Sequence, residues 1–91
     1  MKLLIVEDNA TMRRLLCSLV QDLAAAVYEC GDGAAAFPAY AANRPDWVLM
    51  DIQLPQLDGL TATGQITAAW PEAQVMTVTE YDDVKLRKKA R

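Results

Sequence analysis

The sequence predicts an α/β domain built on a doubly wound parallel sheet. Three observations carry that reading. Short β-type runs alternate with helical stretches in the order βαβαβαβα, an alternation that requires right-handed crossovers and places helices on both faces of a sheet. Two of the runs, Leu3-Leu4-Ile5-Val6 and Trp47-Val48-Leu49-Met50, are unbroken apolar segments, the pattern of strands buried on both faces. Each of these two runs ends on acid, Glu7-Asp8 after the first and Asp51 after the second.

Residues 3–6 form the first expected strand and Glu7-Asp8-Asn9 ends it. Met12, Leu15, Leu16, Leu19, Val20 and Leu23 recur at helical spacing, with Arg13, Arg14, Gln21 and Asp22 off that face. Asp8 or Asn9 can cap this helix by accepting from its first N–H groups. Cys17 falls off the apolar stripe, with no role expected of it. Residues 27–30 make a short second strand. Gly31-Asp32-Gly33 is a turn, and residues 34–42 read as a second helix. Pro38 lies inside that helix, which predicts a bend or a late start because proline removes a backbone donor and crowds the preceding turn.

Asn43-Arg44-Pro45-Asp46 closes the second helix and leads into the third strand, residues 47–50 with Asp51 at its end. Pro55 and Asp58-Gly59 then break the chain, Asp58 reading as a helix cap. Leu60, Thr63, Ile66, Thr67 and Trp70 support a third helix stopped by Pro71. Residues 74–79 are β-rich and form a fourth strand, in which Thr77 only fills a position. Tyr81-Asp82-Asp83 opens a last helical segment, residues 84–90. Trp47 and Trp70 read as packing residues.

At 91 residues the chain makes one domain, residues 1–91, with a thin core. A net charge of −3 argues against a nucleic-acid groove, which needs a clustered basic face. The basic residues Lys85, Arg87, Lys88, Lys89 and Arg91 read as a solvated helix face. Cys17 and Cys30 have neither metal-ligand nor CxxC spacing and there is no histidine, so they are expected to be reduced thiols in a cytoplasmic protein. The first apolar run is too short for a signal sequence, and no run approaches the ~20 residues of a membrane span.

In a doubly wound sheet the carboxyl ends of the strands share one edge. Glu7, Asp8 and Asp51 therefore meet in one crevice, with Thr79 beside them at the end of the fourth strand. Two carboxylates about 5 Å apart repel by roughly 3 kcal/mol at an effective dielectric near 20. Such a cluster must protonate, separate or bind a cation. An all-oxygen ligand set selects a hard ion, Mg²⁺ in a cell.

With these residues in place, the chain resembles the receiver domain of two-component response regulators. The strings that carry the likeness are LLIVEDN, CGDG, RPDWVLMDIQLPQLDG and VMTVTEYDD, in that order along essentially the whole chain. The resemblance implies a flavodoxin-like receiver fold with four βα units present and the fifth missing. Asp51 is then the implied phosphoacceptor, taking a phosphoryl group from a sensor histidine kinase or phosphotransfer protein. Glu7 and Asp8 match the acidic pair that holds Mg²⁺ together with Asp51, and the backbone carbonyl of Gln53 completes the protein ligands. Thr79 matches the hydroxyl that senses the phosphoryl group, and Pro55 and Gly59 the loop that shapes the crevice. A receiver is a phosphoacceptor rather than an enzyme, with at most weak self-phosphorylation and self-dephosphorylation. The Tyr81-Asp82-Asp83 segment resembles the branch whose regulators carry DNA-binding output domains, which would lie outside this chain.

The family continues into a fifth strand ending in a lysine that contacts the phosphoryl group. This chain stops at Arg91, and Lys85, Lys88 and Lys89 do not match that place. The expectation is therefore a truncated piece of a longer regulator, slow or poorly transmitted phosphorylation, and self-association through the fourth strand or last helix. A phosphorylation-independent interaction module is the alternative. A phosphatase using Asp51 as nucleophile is disfavoured, because Gln53 stands where that chemistry needs a second acid.

Overall fold

The computed structural model describes residues 1–54 and 56–78. The expectations placed on Pro55, Thr79, Tyr81-Asp82-Asp83, the last helix and the terminal basic cluster fall outside the described residues. The elements run β1 (Lys2–Val6), α1 (Ala10–Val20), β2 (Ala26–Cys30), α2 (Ala36–Asn43), β3 (Trp47–Asp51), α3 (Gly59–Ala69) and β4 (Val75–Val78). All strand pairs are parallel, in one sheet of order β2-β1-β3-β4. The chain thus winds outward from β1 to β2, then crosses back to β3 on the other side. That reversal puts a topological switch point between β1 and β3, where doubly wound sheets open a crevice.

Leu4, Val6, Val48 and Met50 project to one face, where they pack with Ala36 and Tyr40 of α2 and Ala62 and Ile66 of α3. Strand alternation sends Leu3 and Ile5 to the opposite face, and both are buried. Helix α1 lies on that second face. Arg13 pairs with Glu29, which stands beside Ile5 in the register of β1 and β2.

Side-chain burial on α1 departs from the sequence expectation. Leu15, Leu19 and Leu23 are exposed. The half-buried positions are Met12, Arg13, Leu16, Cys17 and Val20, and the helix ends at Val20. A charged residue and a cysteine complete the inward side because Arg13 finds partners there in Glu29 and the Glu7 carbonyl. The strand β3 is also less enclosed than an all-apolar run implies. Val48 and Met50 are fully buried, whereas Trp47 and Leu49 are only half-buried, and Met76 opposite Leu49 is exposed. Among the described residues, α1 is the one helix on that face, and it covers β1 more than β3 or β4.

The remaining helices follow their local signals. Asn9 caps α1, its Oδ1 accepting from the Met12 N–H at 2.9 Å, and Asp58 caps α3 by accepting from the Thr61 N–H at 2.8 Å. Helix α2 starts late, at Ala36, so that Pro38 sits in its first turn, where backbone donors have no partner within the helix. Arg44 ends α2 in the left-handed region (φ 45°), its N–H donating to Tyr40 O at 2.7 Å. Trp70 at the end of α3 stacks against Phe37 and Tyr40, under the Arg44 guanidinium, and so pins α3 to α2. Leu60, counted on the inward stripe of α3, is exposed; Gly59, Ala62 and Ile66 are the buried positions.

Candidate functional site

The register of β1 against β3 decides the geometry of the acidic edge. Leu3 lies beside Trp47 and Val6 beside Met50. The next residue of each strand is therefore an acid next to an acid, Glu7 alongside Asp51. Both side chains are almost wholly buried, Glu7 at 1% and Asp51 at 2% exposure, while Asp8 is exposed. One carboxylate oxygen from each of Glu7, Asp8 and Asp51 lies within 4.8 Å of the others.

Backbone donors fix two of the three carboxylates, Glu7 and Asp51. The Asn9 N–H donates to Glu7 Oε2 at 3.1 Å, and the Gln53 N–H donates to Asp51 Oδ1 at 3.1 Å. The Glu7 N–H donates to Cys30 O at 3.0 Å, tying the end of β1 to β2. On the far side, Gly59 N–H donates to Ile52 O at 2.8 Å, and a Cβ at this position would collide with the Asp51 carbonyl. No Cβ fits there. Gly33 is equally constrained, because a Cβ would run into the backbone carbonyl of Leu57 and separate the turn after β2 from the loop after β3.

A carboxylate cluster this tight costs roughly 3 kcal/mol for each like-charged pair at an effective dielectric near 20. A divalent cation removes that cost. Magnesium–oxygen bonds of about 2.1 Å span about 4.2 Å between opposite ligands, so the observed spread closes on Mg²⁺ with a small contraction or with water in place of one carboxylate. The donor set contains oxygen alone, as a hard ion requires. The residues therefore fit such an ion.

Sequence reasoning placed Glu7, Asp8 and Asp51 together, and the structure brings them together. Gln53 is exposed in the loop two residues beyond Asp51. Pro55 and Thr79 lie outside the described residues. One participant was misread from the sequence. Helical spacing puts Arg13 off the apolar face of α1, yet its Nη1–H donates to the Glu7 carbonyl at 2.6 Å. No sequence signal marks it, because an arginine on an amphipathic helix reads as solvated.

Cys17 and Cys30 are free thiols that are not members of the trio, and burial pushes both up from the usual thiol range, Cys30 to about 11. Both tryptophans sit at the opposite edge of the sheet. Trp47 begins β3, four residues or about 13 Å from Asp51, and Trp70 closes α3 at that same edge.

A parallel α/β sheet with buried acids at the carboxyl edge of its switch point defines a ligand-binding doubly wound domain. Comparison with known proteins specifies which. The sequence matches the response regulator receiver domain family over residues 3–91, and the chain belongs to that family. It is 40% identical over 77 residues to the chemotaxis protein CheY of Listeria monocytogenes, covering 84% of this chain and 65% of the relative. It is 31% identical to the oxygen regulatory protein NreC of Staphylococcus haemolyticus, over 91% of this chain and 40% of the relative. The chain thus spans less than two thirds of the length of these curated relatives. Among solved structures, it superposes on the N-terminal domain of an uncharacterized Wolinella succinogenes protein with a TM-score of 0.82 and 29% identity, covering 99% of this chain and 73% of the other. The response regulator domain of Thermotoga maritima CheB matches with a TM-score of 0.76 and 26% identity, over 87% and 60% of the respective chains.

Proposed function

We propose that this chain is a phosphoacceptor in two-component signalling, with Asp51 as the residue that takes the phosphoryl group. The observation that supports this most is the side-by-side placement of Glu7 and Asp51 at the carboxyl edge, with Asp8 in reach, in a member of the receiver family. A carboxylate oxygen of Asp51 attacks phosphorus in a phosphohistidine of a sensor kinase or phosphotransfer protein. The P–N bond breaks as the P–O bond forms, and the imidazole leaves. Glu7, Asp8, Asp51 and the Gln53 carbonyl are the proposed Mg²⁺ ligands. When bound, the ion supplies charge neutralisation for the phosphoryl oxygens and in-line positioning.

The chain's own residues do the rest. Gln53 N–H orients the Asp51 carboxylate, and Gly59 keeps the loop close enough to shape the crevice together with Pro55. Thr79 is the proposed hydroxyl that reads the acyl phosphate and passes a conformational change to an output domain or partner. Residues 1–91 act in this reading as one receiver unit that is not itself an enzyme beyond weak self-phosphorylation and self-dephosphorylation. A cytoplasmic location fits a kinase donor, and among the described residues no helix is long and apolar enough to cross a membrane.

Labelling with radioactive acetyl phosphate tests the proposal. Expected is Mg²⁺-dependent, alkali-labile incorporation that Asp51→Asn abolishes. Incorporation that survives Asp51→Asn would overturn the assignment. Exposed Leu15, Leu19, Leu23 and Met76 favour a second reading, a phosphorylation-independent interaction module. Absence of any label in a folded protein would select it.

A further inference from the structure

We propose that Arg13 is a positioning residue for the acidic site, a brace that holds the main chain at Glu7 against β2. The inference rests on the reading of the acidic trio as a divalent-cation site and deepens it. Arg13 leaves α1 one turn after the cap, and its guanidinium bridges two acceptors, one just past the end of β1 and one on β2. Nη1–H donates to the Glu7 carbonyl at 2.6 Å, and Nε–H donates to Glu29 Oε1 on β2 at 3.1 Å. The Arg13 backbone N–H also donates to Asn9 O at 2.8 Å. The segment Glu7-Asp8-Asn9 is thus held at both ends by one residue, with the Glu7 N–H on Cys30 and the Asn9 N–H on Glu7 Oε2 closing the frame. Asp8 lies between two anchored neighbours, so the brace sets where its carboxylate stands relative to Asp51.

Arginine suits this task and lysine does not. The planar guanidinium presents its donors at fixed angles and can serve both acceptors at once. An ammonium can reach one of them. The cationic charge alone would oppose a second cation in the crevice, and Glu29 balances it. Position and charge therefore predict opposite signs, which makes the brace testable. If Arg13 acts by position, its removal weakens metal binding. If it acts only as a nearby positive charge, its removal tightens binding.

The test is titration of the 91-residue chain with Mn²⁺ followed by electron paramagnetic resonance, with Mg²⁺ as competitor. Outer partners of metal ligands commonly govern affinity by ten- to a hundredfold; for this main-chain brace, Arg13→Ala is expected to weaken Mn²⁺ binding about tenfold. Arg13→Lys should recover only part of that loss, and Glu29→Gln should weaken binding by a smaller factor. Arg14→Ala, at an exposed neighbouring position, should leave binding unchanged. Equal or tighter binding by Arg13→Ala overturns the proposal. A wild-type chain that binds no Mn²⁺ would instead overturn the cation reading. In that event amide hydrogen exchange decides the brace alone: Arg13→Ala should speed exchange at Asp8 and Asn9 relative to Arg14→Ala, and unchanged exchange refutes it.

Discussion

Replacing Gly59 with alanine probes how rigidly the crevice is built. Gly59 does not have a positive φ, so its requirement is space rather than backbone freedom. An added Cβ would lie 2.8 Å from both Asp51 C and Ile52 Cα, and closer still to the Asp51 carbonyl oxygen. Carbon atoms in ordinary contact stand about 3.5–4.0 Å apart. The start of α3 must therefore retreat by about 1 Å, and Ala62 and Ile66, fully buried on the same helix, are drawn off the core with it. Overpacking of this kind costs about 1–3 kcal/mol. For a chain of this size each kcal/mol lowers Tm by roughly 4–8 °C. Gly64 supplies an internal control, being exposed in the same helix with nothing within 4 Å of an added Cβ. There alanine should stabilise by about 0.5–1 kcal/mol through helix propensity. Urea unfolding followed by tryptophan emission measures both, since Trp47 and Trp70 report on folding from the edge remote from the acids. A Gly59→Ala variant with an unchanged midpoint, beside a stabilised Gly64→Ala, would refute the close-packing argument.

Two further outcomes are expected. Exposed Leu15, Leu19, Leu23 and Met76, with β4 at the margin of the described sheet, should drive self-association; light scattering should show a concentration-dependent rise in mass, and a clean monomer at high concentration would refute it. Burial raises the Cys30 thiol to about 11 from its ordinary 9.0. The folded state then holds this proton more tightly than the unfolded chain. Stability from this group is complete below about pH 9 and is lost as pH rises through about 11. Urea midpoints measured between pH 8 and 11 should fall less steeply in Cys30→Ala than in the wild type.

The sequence by itself determined the alternation of elements, because strand runs, caps and turn residues act over a few neighbours. Asn9 and Asp58 cap their helices as their types dictate, and Pro38 delays α2 because a missing N–H is harmless only in a first turn. The acidic trio was legible for the same reason: parallel strands share a carboxyl edge, so acids that end two adjacent strands meet. What only the tertiary structure decided is which side of each helix faces the sheet. On α1 Leu15 and Leu19 stand in solvent, as does Leu23 just beyond the helix, while Arg13 and Cys17 turn inward, since Glu29 on the neighbouring strand and the Glu7 carbonyl beyond the helix start offer the guanidinium partners that water would otherwise supply. The same holds at Gly59, whose need to be glycine arises from a carbonyl eight residues upstream that periodicity does not reveal. Local propensity writes the elements; contacts between residues far apart in the chain choose their rotation and their spacing.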